Sequence, residues 1–243
     1  MSRVDEPLEC SVVEIKSALV DERSVESPPV GFTFAEYRAS LRAFRAEGYA
    51  ITGFLPFLEA PKPKHMILRH DVDHSLEQAL RLARIDAAEG CSATFFLRVH
   101  ARGYNVASYQ SLQLIDELHS LGHEVELHLD GGIHQGLPIS EVDALDRQRE
   151  VLEAVLRRPI NGFSAHEPAR MGNLDSSDDA LTRWGVRYHA YQARFMNPQI
   201  RYLSDSSARW RDGHFFEWLG RADHLHVLVH PVWWYDRLPQ ENV

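Results

Sequence analysis

The stretch HMILRHDVDHSLEQALRLARIDAAEG, residues 65–90, joins two patterns that decide the fold. Its first six residues form a short apolar run typical of a buried strand, and an amphipathic helical pattern follows. Ser75 stands at the N-cap position with Gln78 three residues later as a capping box, and Gly90 ends the pattern. A strand that leads directly into a helix predicts a βα unit.

The same alternation continues along the chain. Strand patterns are predicted at 92–99, 124–129, 160–166, 186–191 and 224–230, and helical patterns at 34–49, 108–122, 140–158 and 176–185. Strands and helices that alternate at this spacing form parallel sheets with helical crossovers. Six or seven such units, with no linker after residue 35, predict one closed or nearly closed barrel over 31–243. The linker-like stretch that ends at residue 31, SVESPPVG, marks 1–30 as an N-terminal arm.

Composition argues against several classes of protein. The net charge of −9 gives no electrostatic support for binding nucleic acid. The two cysteines, Cys10 and Cys91, form no CxxC motif, which argues against a disulfide framework and a thiolate zinc site. No run approaches the ~20 apolar residues of a membrane span. The acidic N-terminus lacks the pattern of a secretory signal, so the prediction is a cytoplasmic protein.

Acids and histidines gather where four of the predicted strands end. These residues are Asp71 and Asp73, then His128 and Asp130, then His166 and Glu167, and finally His230. In parallel α/β folds the carboxyl ends of the strands meet at one edge, where function is concentrated. The pattern therefore predicts a single site built from four strands.

Some of these residues also have structural explanations. An aspartate after a strand is often the N-cap of the next helix, but Ser75 fills that role, which favours function for Asp71 and Asp73. His128 taken alone would be better explained as a core histidine. His134, in the glycine-rich segment DGGIHQG, could supply another metal ligand or be a plain surface residue.

Aspartate and histidine ligands with an open position suit a divalent metal, with zinc favoured and cobalt, nickel or iron possible. Such a metal lowers the pKa of water toward ~7 and polarises a carbonyl group. A neighbouring carboxylate then serves as general base, and a histidine donates a proton to the leaving amine. The strand ends offer candidates for all three roles.

Four segments occur in a recognisable order: LRHDVDHS (68–75), SATFFL (92–97), LGHEVELHLD (121–130) and HVLVHPVWW (226–234). Together they resemble the polysaccharide deacetylase (NodB-homology, carbohydrate esterase) superfamily. The resemblance implies a distorted (β/α)7 barrel that removes acetyl groups from sugars. It is greatest for the cytoplasmic branch found in bacterial surface-polysaccharide (O-antigen or capsule) biosynthesis.

Carried over position by position, the resemblance implies separate roles for the site residues. Asp71 is the catalytic base, and His230 is the acid that protonates the leaving amine. Asp73 and His128 are metal ligands, and His134 is the first candidate for the third ligand.

The second motif departs from the family pattern. The family usually places its two metal histidines four residues apart, but position 132 is Gly132 and the next histidine is His134. The third ligand is therefore open between His134, His74, a carboxylate such as Asp130, or none.

The third motif departs as well. Its usual arginine steadies the base, whereas FSAHEPAR (163–170) has His166 in that place, with Arg170 too far along and Arg69 as a possible substitute. The residues predicted to contact substrate are Arg69, His166, Glu167, Asp205 and Trp210.

The leading hypothesis is a metal-dependent hydrolase that removes an acetyl group from a small sugar or sugar-nucleotide. An oligomer is possible. The alternative is a barrel with a lost or altered metal site, which binds a sugar or nucleotide-sugar or hydrolyses another amide or formamide.

Overall fold

The computed structural model describes residues 31–131, 138–168 and 177–237. The arm predicted for residues 1–30 lies outside these ranges and stays a prediction. Within them, helices and strands alternate as the sequence pattern predicts. None of the described helices combines the length and apolar character that crossing a membrane requires.

The strands and helices are numbered here in chain order. The strands are β1 (Ala50–Thr52), β2 (His65–Val72), β3 (Thr94–Leu97), β4 (Glu124–Asp130), β5 (Gly162–His166), β6 (Tyr188–His189), β7 (Arg201–Ser204) and β8 (His224–Val229). The helices are α1 (Phe34–Ala46), α2 (Phe54–Glu59), α3 (Leu76–Ala88), α4 (Tyr109–Ser120), α5 (Glu141–Leu156) and α6 (Asp178–Arg183). Two short 3-10 helices follow, Phe215–Trp218 and Pro231–Trp233.

All strands belong to one parallel sheet that curls in the order β6-β5-β4-β3-β2-β8-β7. The short strand β1 pairs with the first part of β2, while β3 pairs with the last part of the same strand. Among the described residues no pairing joins β6 to β7, so the barrel is open there. The predicted fold class, a distorted (β/α)7 barrel, is confirmed: seven strands follow the main path. The sequence patterns missed β1, β7 and α2.

The β2–α3 unit lies at the centre of the sheet, as its sequence suggests. β2 continues to Val72, two residues beyond the predicted apolar run, so Asp71 lies within the strand. Ser75 caps α3 by accepting a hydrogen bond from the backbone N–H of Gln78. The Gln78 side chain instead donates to the carbonyl of Trp234, 3.0 Å away, so the predicted capping box is only half formed.

Alternation along β4 separates an apolar face from a polar one. In β4, Val125, Leu127 and Leu129 join the main hydrophobic core. The intervening Glu126, His128 and Asp130 are also buried, on the face that lines the barrel interior. Because side chains of neighbouring strands share this face, the fold gathers ionisable groups inside the barrel.

Glu124, at the start of β4, lies at the end of the barrel where the strands begin, opposite to their carboxyl ends. It accepts hydrogen bonds from the Thr94 hydroxyl at 2.5 Å and from the backbone N–H of Leu55 at 3.1 Å. Leu55 lies in the first turn of α2, whose N-cap residue Gly53 has no capping side chain. A Cβ on Gly53 would approach the side chains of Thr94 and Glu124 to 2.5–2.7 Å, so any larger residue would have to displace them. Burial, with help from Glu126, raises the pKa of Glu124 to about 7.

This raised pKa predicts a specific pH dependence of stability. The folded protein keeps the Glu124 proton up to about pH 7, whereas an unfolded chain loses it near its ordinary value of 4.5. The unfolded state therefore binds fewer protons between these values, and the Glu124 contribution to stability falls as pH rises from about 4.5 to 7. We expect Glu124→Gln to gain stability relative to wild type across this window, by on the order of 2 kcal/mol.

Urea unfolding of both proteins at several pH values measures this difference directly. Glu117→Gln is the matched control, because Glu117 pairs with Arg84 on the surface. A difference between Glu124→Gln and wild type that does not change with pH would contradict the assignment.

Candidate functional site

Asp71 is held in the barrel interior by an arginine from its own strand. Arg69 donates from Nε to Asp71 Oδ1 at 2.8 Å and from a terminal nitrogen to Oδ2 at 2.7 Å. Both side chains are almost completely buried. They lie two residues apart on β2 and so share the inward face. This two-point contact fixes the plane of the carboxylate.

Neighbouring strands fix Arg69 in turn. Its guanidinium also donates to the Ser164 hydroxyl and, at 3.1 Å, to the Tyr191 hydroxyl, and it lies 4.6 Å from the centre of the Tyr191 ring. Burial by itself would raise the pKa of Asp71, but Arg69, followed by His128, holds that pKa well below its ordinary value. Asp71 is therefore a fixed, ionised carboxylate.

Asp73 and His128 meet at the strand ends. His128 Nε2 lies 3.3 Å from Asp73 Oδ1 and 3.4 Å from Asp71 Oδ2. The other ring nitrogen of His128, Nδ1, lies 3.1 Å from the carbonyl oxygen of Ser164, which can only accept a hydrogen bond. We therefore assign the ring proton to Nδ1. In the neutral imidazole, the lone pair of Nε2 then points toward the two carboxylates.

His166 approaches the same carboxylate from the end of β5. Its Nε2 lies 3.7 Å from Asp73 Oδ1, and its Nδ1 lies 3.0 Å from Asp130 Oδ1. The β4–β5 register pairs Asp130 with His166 and His128 with Ser164, which explains why these side chains are adjacent. The two imidazole rings are 5.3 Å apart and nearly perpendicular.

His230 follows β8 and is held by Asp205. Asp205 Oδ1 lies 2.6 Å from His230 Nδ1, and the same carboxylate accepts hydrogen bonds from the backbone N–H of His230 and from Trp234 Nε1. The other ring nitrogen, Nε2, faces Asp73 Oδ2 at 4.0 Å. Burial would lower the pKa of His230, but Asp205 outweighs it and raises that pKa to about 9. This imidazole is therefore protonated at neutral pH.

The other predicted site residues are placed differently. His134 and Arg170 lie outside the described residues. His74 is exposed, and Glu167 is exposed at the end of β5 with a φ of 48°. Trp210 packs against His214 and Phe215 and belongs to the main hydrophobic core, so its contact with substrate stays a prediction.

Several residues that organise the site were missed by the sequence patterns. Ser164 contacts both Arg69 and His128. Gln148 of α5 accepts from the backbone N–H of Asp130 and donates to its carbonyl, which fixes the end of β4. Such contacts depend on register and packing, and a serine or glutamine in a single sequence gives no signal for them.

The donor atoms around Asp73 can be tested against a metal ion. Asp73 Oδ1 is buried and has no hydrogen-bond partner among the described residues, although two imidazole nitrogens face it. A proton or a cation is needed to offset the mutual repulsion of these lone pairs. Tetrahedral zinc with ligand bonds of ~2.1 Å places its ligand atoms about 3.4 Å apart, close to the observed 3.3 and 3.7 Å.

The side chains around Asp73 do not form a complete metal site. Among the described residues, no group of three or more His, Cys, Asp or Glu side chains is arranged to hold a metal ion outright. The distances from Asp73 Oδ1 to the Nε2 atoms of His128 and His166, 3.3 and 3.7 Å, nevertheless approach the spacing of two ligand atoms on one zinc ion. The residue types also suit zinc. The residue types and these two distances therefore suit a divalent metal.

Comparison with known proteins gives similarity in structure only. No family model and no curated protein matches the sequence. Solved structures that match include the deacetylase PplD of Streptococcus pyogenes in complex with acetate (13% identity, 80% of each chain covered, TM-score 0.46). Others are a chitin deacetylase from Colletotrichum lindemuthianum (16% identity, 77% of this chain and 79% of that chain, TM-score 0.43) and a family 4 carbohydrate esterase from Bacillus anthracis (12%, 77% and 74%, TM-score 0.41).

Solved deacetylases and carbohydrate esterases are thus among the structures to which this chain is similar. These similarities are weak.

Proposed function

We propose that this protein is a metal-dependent hydrolase that removes an acetyl group from an N-acylated sugar. One observation carries the proposal. A fixed carboxylate, Asp71, and the imidazole of His230, held by Asp205, flank the Asp73–His128 pair, with His128 3.4 Å from Asp71 and His230 4.0 Å from Asp73. Hydrolysis of an amide requires a base for water and an acid for the leaving amine, and these two groups supply both.

Asp73 Oδ1 and His128 Nε2 are the first two metal donors. When bound, a divalent ion such as zinc supplies Lewis acidity that polarises the acyl carbonyl and makes water more acidic. His128 is already oriented for this task, because its Nδ1 is bound to the Ser164 carbonyl.

Asp71 serves as the general base. Its Oδ2 accepts the proton of the attacking water, while Arg69 keeps the carboxylate in one plane. The low pKa of Asp71 makes it a weak base in isolation, so it depends on an acidic water. Arg69, predicted as a substrate contact, is therefore proposed to be a positioning residue.

His230 serves as the general acid. Asp205 binds its Nδ1–H, which leaves the proton on Nε2 to be donated to the departing nitrogen. The raised pKa of His230 keeps that proton in place at neutral pH. Asp205, also predicted as a substrate contact, is proposed to position His230.

We place the substrate among the precursors of a bacterial surface polysaccharide such as an O-antigen or capsule. This part of the proposal follows the sequence resemblance, as does a cytoplasmic location. Glu167 remains a candidate contact for the sugar, because it is exposed at the end of β5 next to His166.

Metal removal tests the proposed function. We expect the purified protein to bind about one equivalent of divalent metal, to lose acetyl release from N-acetyl sugars after chelation, and to recover it when zinc or cobalt is added. Asp73→Asn serves as the variant that should neither bind nor recover. Far less than one equivalent of metal, with none recruited by dialysis, would favour the alternative of a sugar-binding barrel.

A further inference from the structure

We infer that His166 is the third metal ligand and that Asp130 positions it, replacing the histidine that the second motif lacks. The inference rests on the proposed function, because it concerns the metal proposed there. It assigns to β5 a ligand that the sequence resemblance places after β4. It also changes the role predicted for His166 from substrate contact to metal donor.

The donor atoms converge on one oxygen. His128 Nε2 and His166 Nε2 lie 3.3 and 3.7 Å from Asp73 Oδ1, which has no hydrogen-bond partner within the described part of the chain. Both histidines have their Nδ1 atoms bound to acceptors, namely the Ser164 carbonyl and the Asp130 carboxylate. The Nε2 atom of each histidine therefore keeps its lone pair available to a metal ion, in the arrangement that metal-binding histidines usually adopt.

Asp130 is itself firmly held. Arg98 approaches its two carboxylate oxygens at 2.7 and 3.2 Å, and Gln148 binds its backbone on both sides. A carboxylate fixed in this way sets the tautomer and the direction of the His166 ring. Its contacts with Arg98 and His166 also leave Asp130 poorly suited to be the third ligand itself.

The two departures from the family pattern explain one another. The arginine usually found in the third motif would steady the base, but Arg69 does so here from β2 and binds the Ser164 hydroxyl. No arginine is therefore needed at the end of β5, and a different side chain can occupy that position. His166 lies two residues beyond Ser164 on the same face of β5, so it points toward Asp73 and His128.

Metal binding measured without turnover tests this inference. Zinc affinity is determined by competition with a chromophoric chelator, and the coordination by the visible absorption of the Co²⁺ protein. We expect His166→Gln to weaken zinc binding more than 100-fold and to change the Co²⁺ spectrum, and Asp130→Asn to weaken binding about 10–100-fold. His134→Gln tests the third ligand that the sequence resemblance favours, and we expect it to bind like wild type. The matched control is His100→Gln, at an exposed histidine.

The possible outcomes separate the two proposals. Wild-type affinity in His166→Gln, or a loss confined to His134→Gln, would overturn the assignment of His166 while leaving a metal-dependent hydrolase intact. Absence of metal binding by the wild-type protein would overturn the proposed function as well. Circular dichroism of each variant checks folding. If His166→Gln does not fold, Asp130→Asn provides the test. Wild-type zinc affinity in Asp130→Asn would contradict the positioning role of Asp130.

Discussion

Asp71→Asn is expected to reduce acetyl release by about 10²–10⁴-fold while the protein still binds its metal. Asparagine has nearly the same shape as aspartate but cannot accept the proton of the attacking water. The metal should remain, because Asp73 and His128 are unchanged. Turnover and metal content are measured on the same sample, and near-normal hydrolysis by this variant would contradict the role of Asp71 as base.

Asp71→Asn is also expected to lower the stability of the protein. A double variant separates this effect from the loss of activity. Asp71→Asn leaves the buried Arg69 without its charged partner, and breaking a buried pair costs about 3–5 kcal/mol. The double variant with Arg69→Met removes both charges and should regain much of that stability without regaining turnover. If turnover returned together with stability, the single variant would have been inactive only because it was poorly folded.

His230→Gln is expected to reduce hydrolysis of an N-acetyl sugar by about 10²–10⁴-fold, and to affect an activated aryl acetate far less. An amine is a poor leaving group until it is protonated, whereas a nitrophenolate leaves without a proton. The ratio of the two rates therefore reports on proton donation. Equal losses on both substrates would show that His230 acts in some other way.

His74→Gln is the matched control for that experiment. His74 is exposed and follows Asp73 directly, so this variant alters a nearby histidine without touching the Asp205–His230 pair. We expect it to hydrolyse both substrates at wild-type rates. A large loss in His74→Gln would instead favour His74 as the third metal ligand, which the sequence leaves open, and would show that the His230 result is not specific.

The sequence was informative where a residue's role follows from its place in a strand or helix. The βα alternation predicted a parallel barrel, and the polar residues at strand ends predicted which face would carry the site. His128 and Asp73 come together because parallel strands place their carboxyl ends at one edge. Ser140 and Asp143, three residues apart at the start of α5, form a complete capping box.

Sequence patterns gave no prediction where a contact depends on the direction of a side chain or on which strands become neighbours. The sequence predicts Arg69 both as a substrate contact and as a possible substitute for the missing arginine, and its two-point contact with Asp71 depends on both side chains facing inward. The short strands β1 and β7 have little periodicity of their own and are stabilised by pairing with β2 and β8.

By itself, the sequence determined the fold class and the set of ionisable residues at the strand ends, because hydrophobic periodicity and local capping are encoded in short segments. Only the tertiary structure decided how those residues divide their tasks. It pairs Arg69 with Asp71, Asp205 with His230, and Asp130 with His166. The partners in the last two pairs are 25 and 36 residues apart, so their distances are set by strand register and barrel curvature.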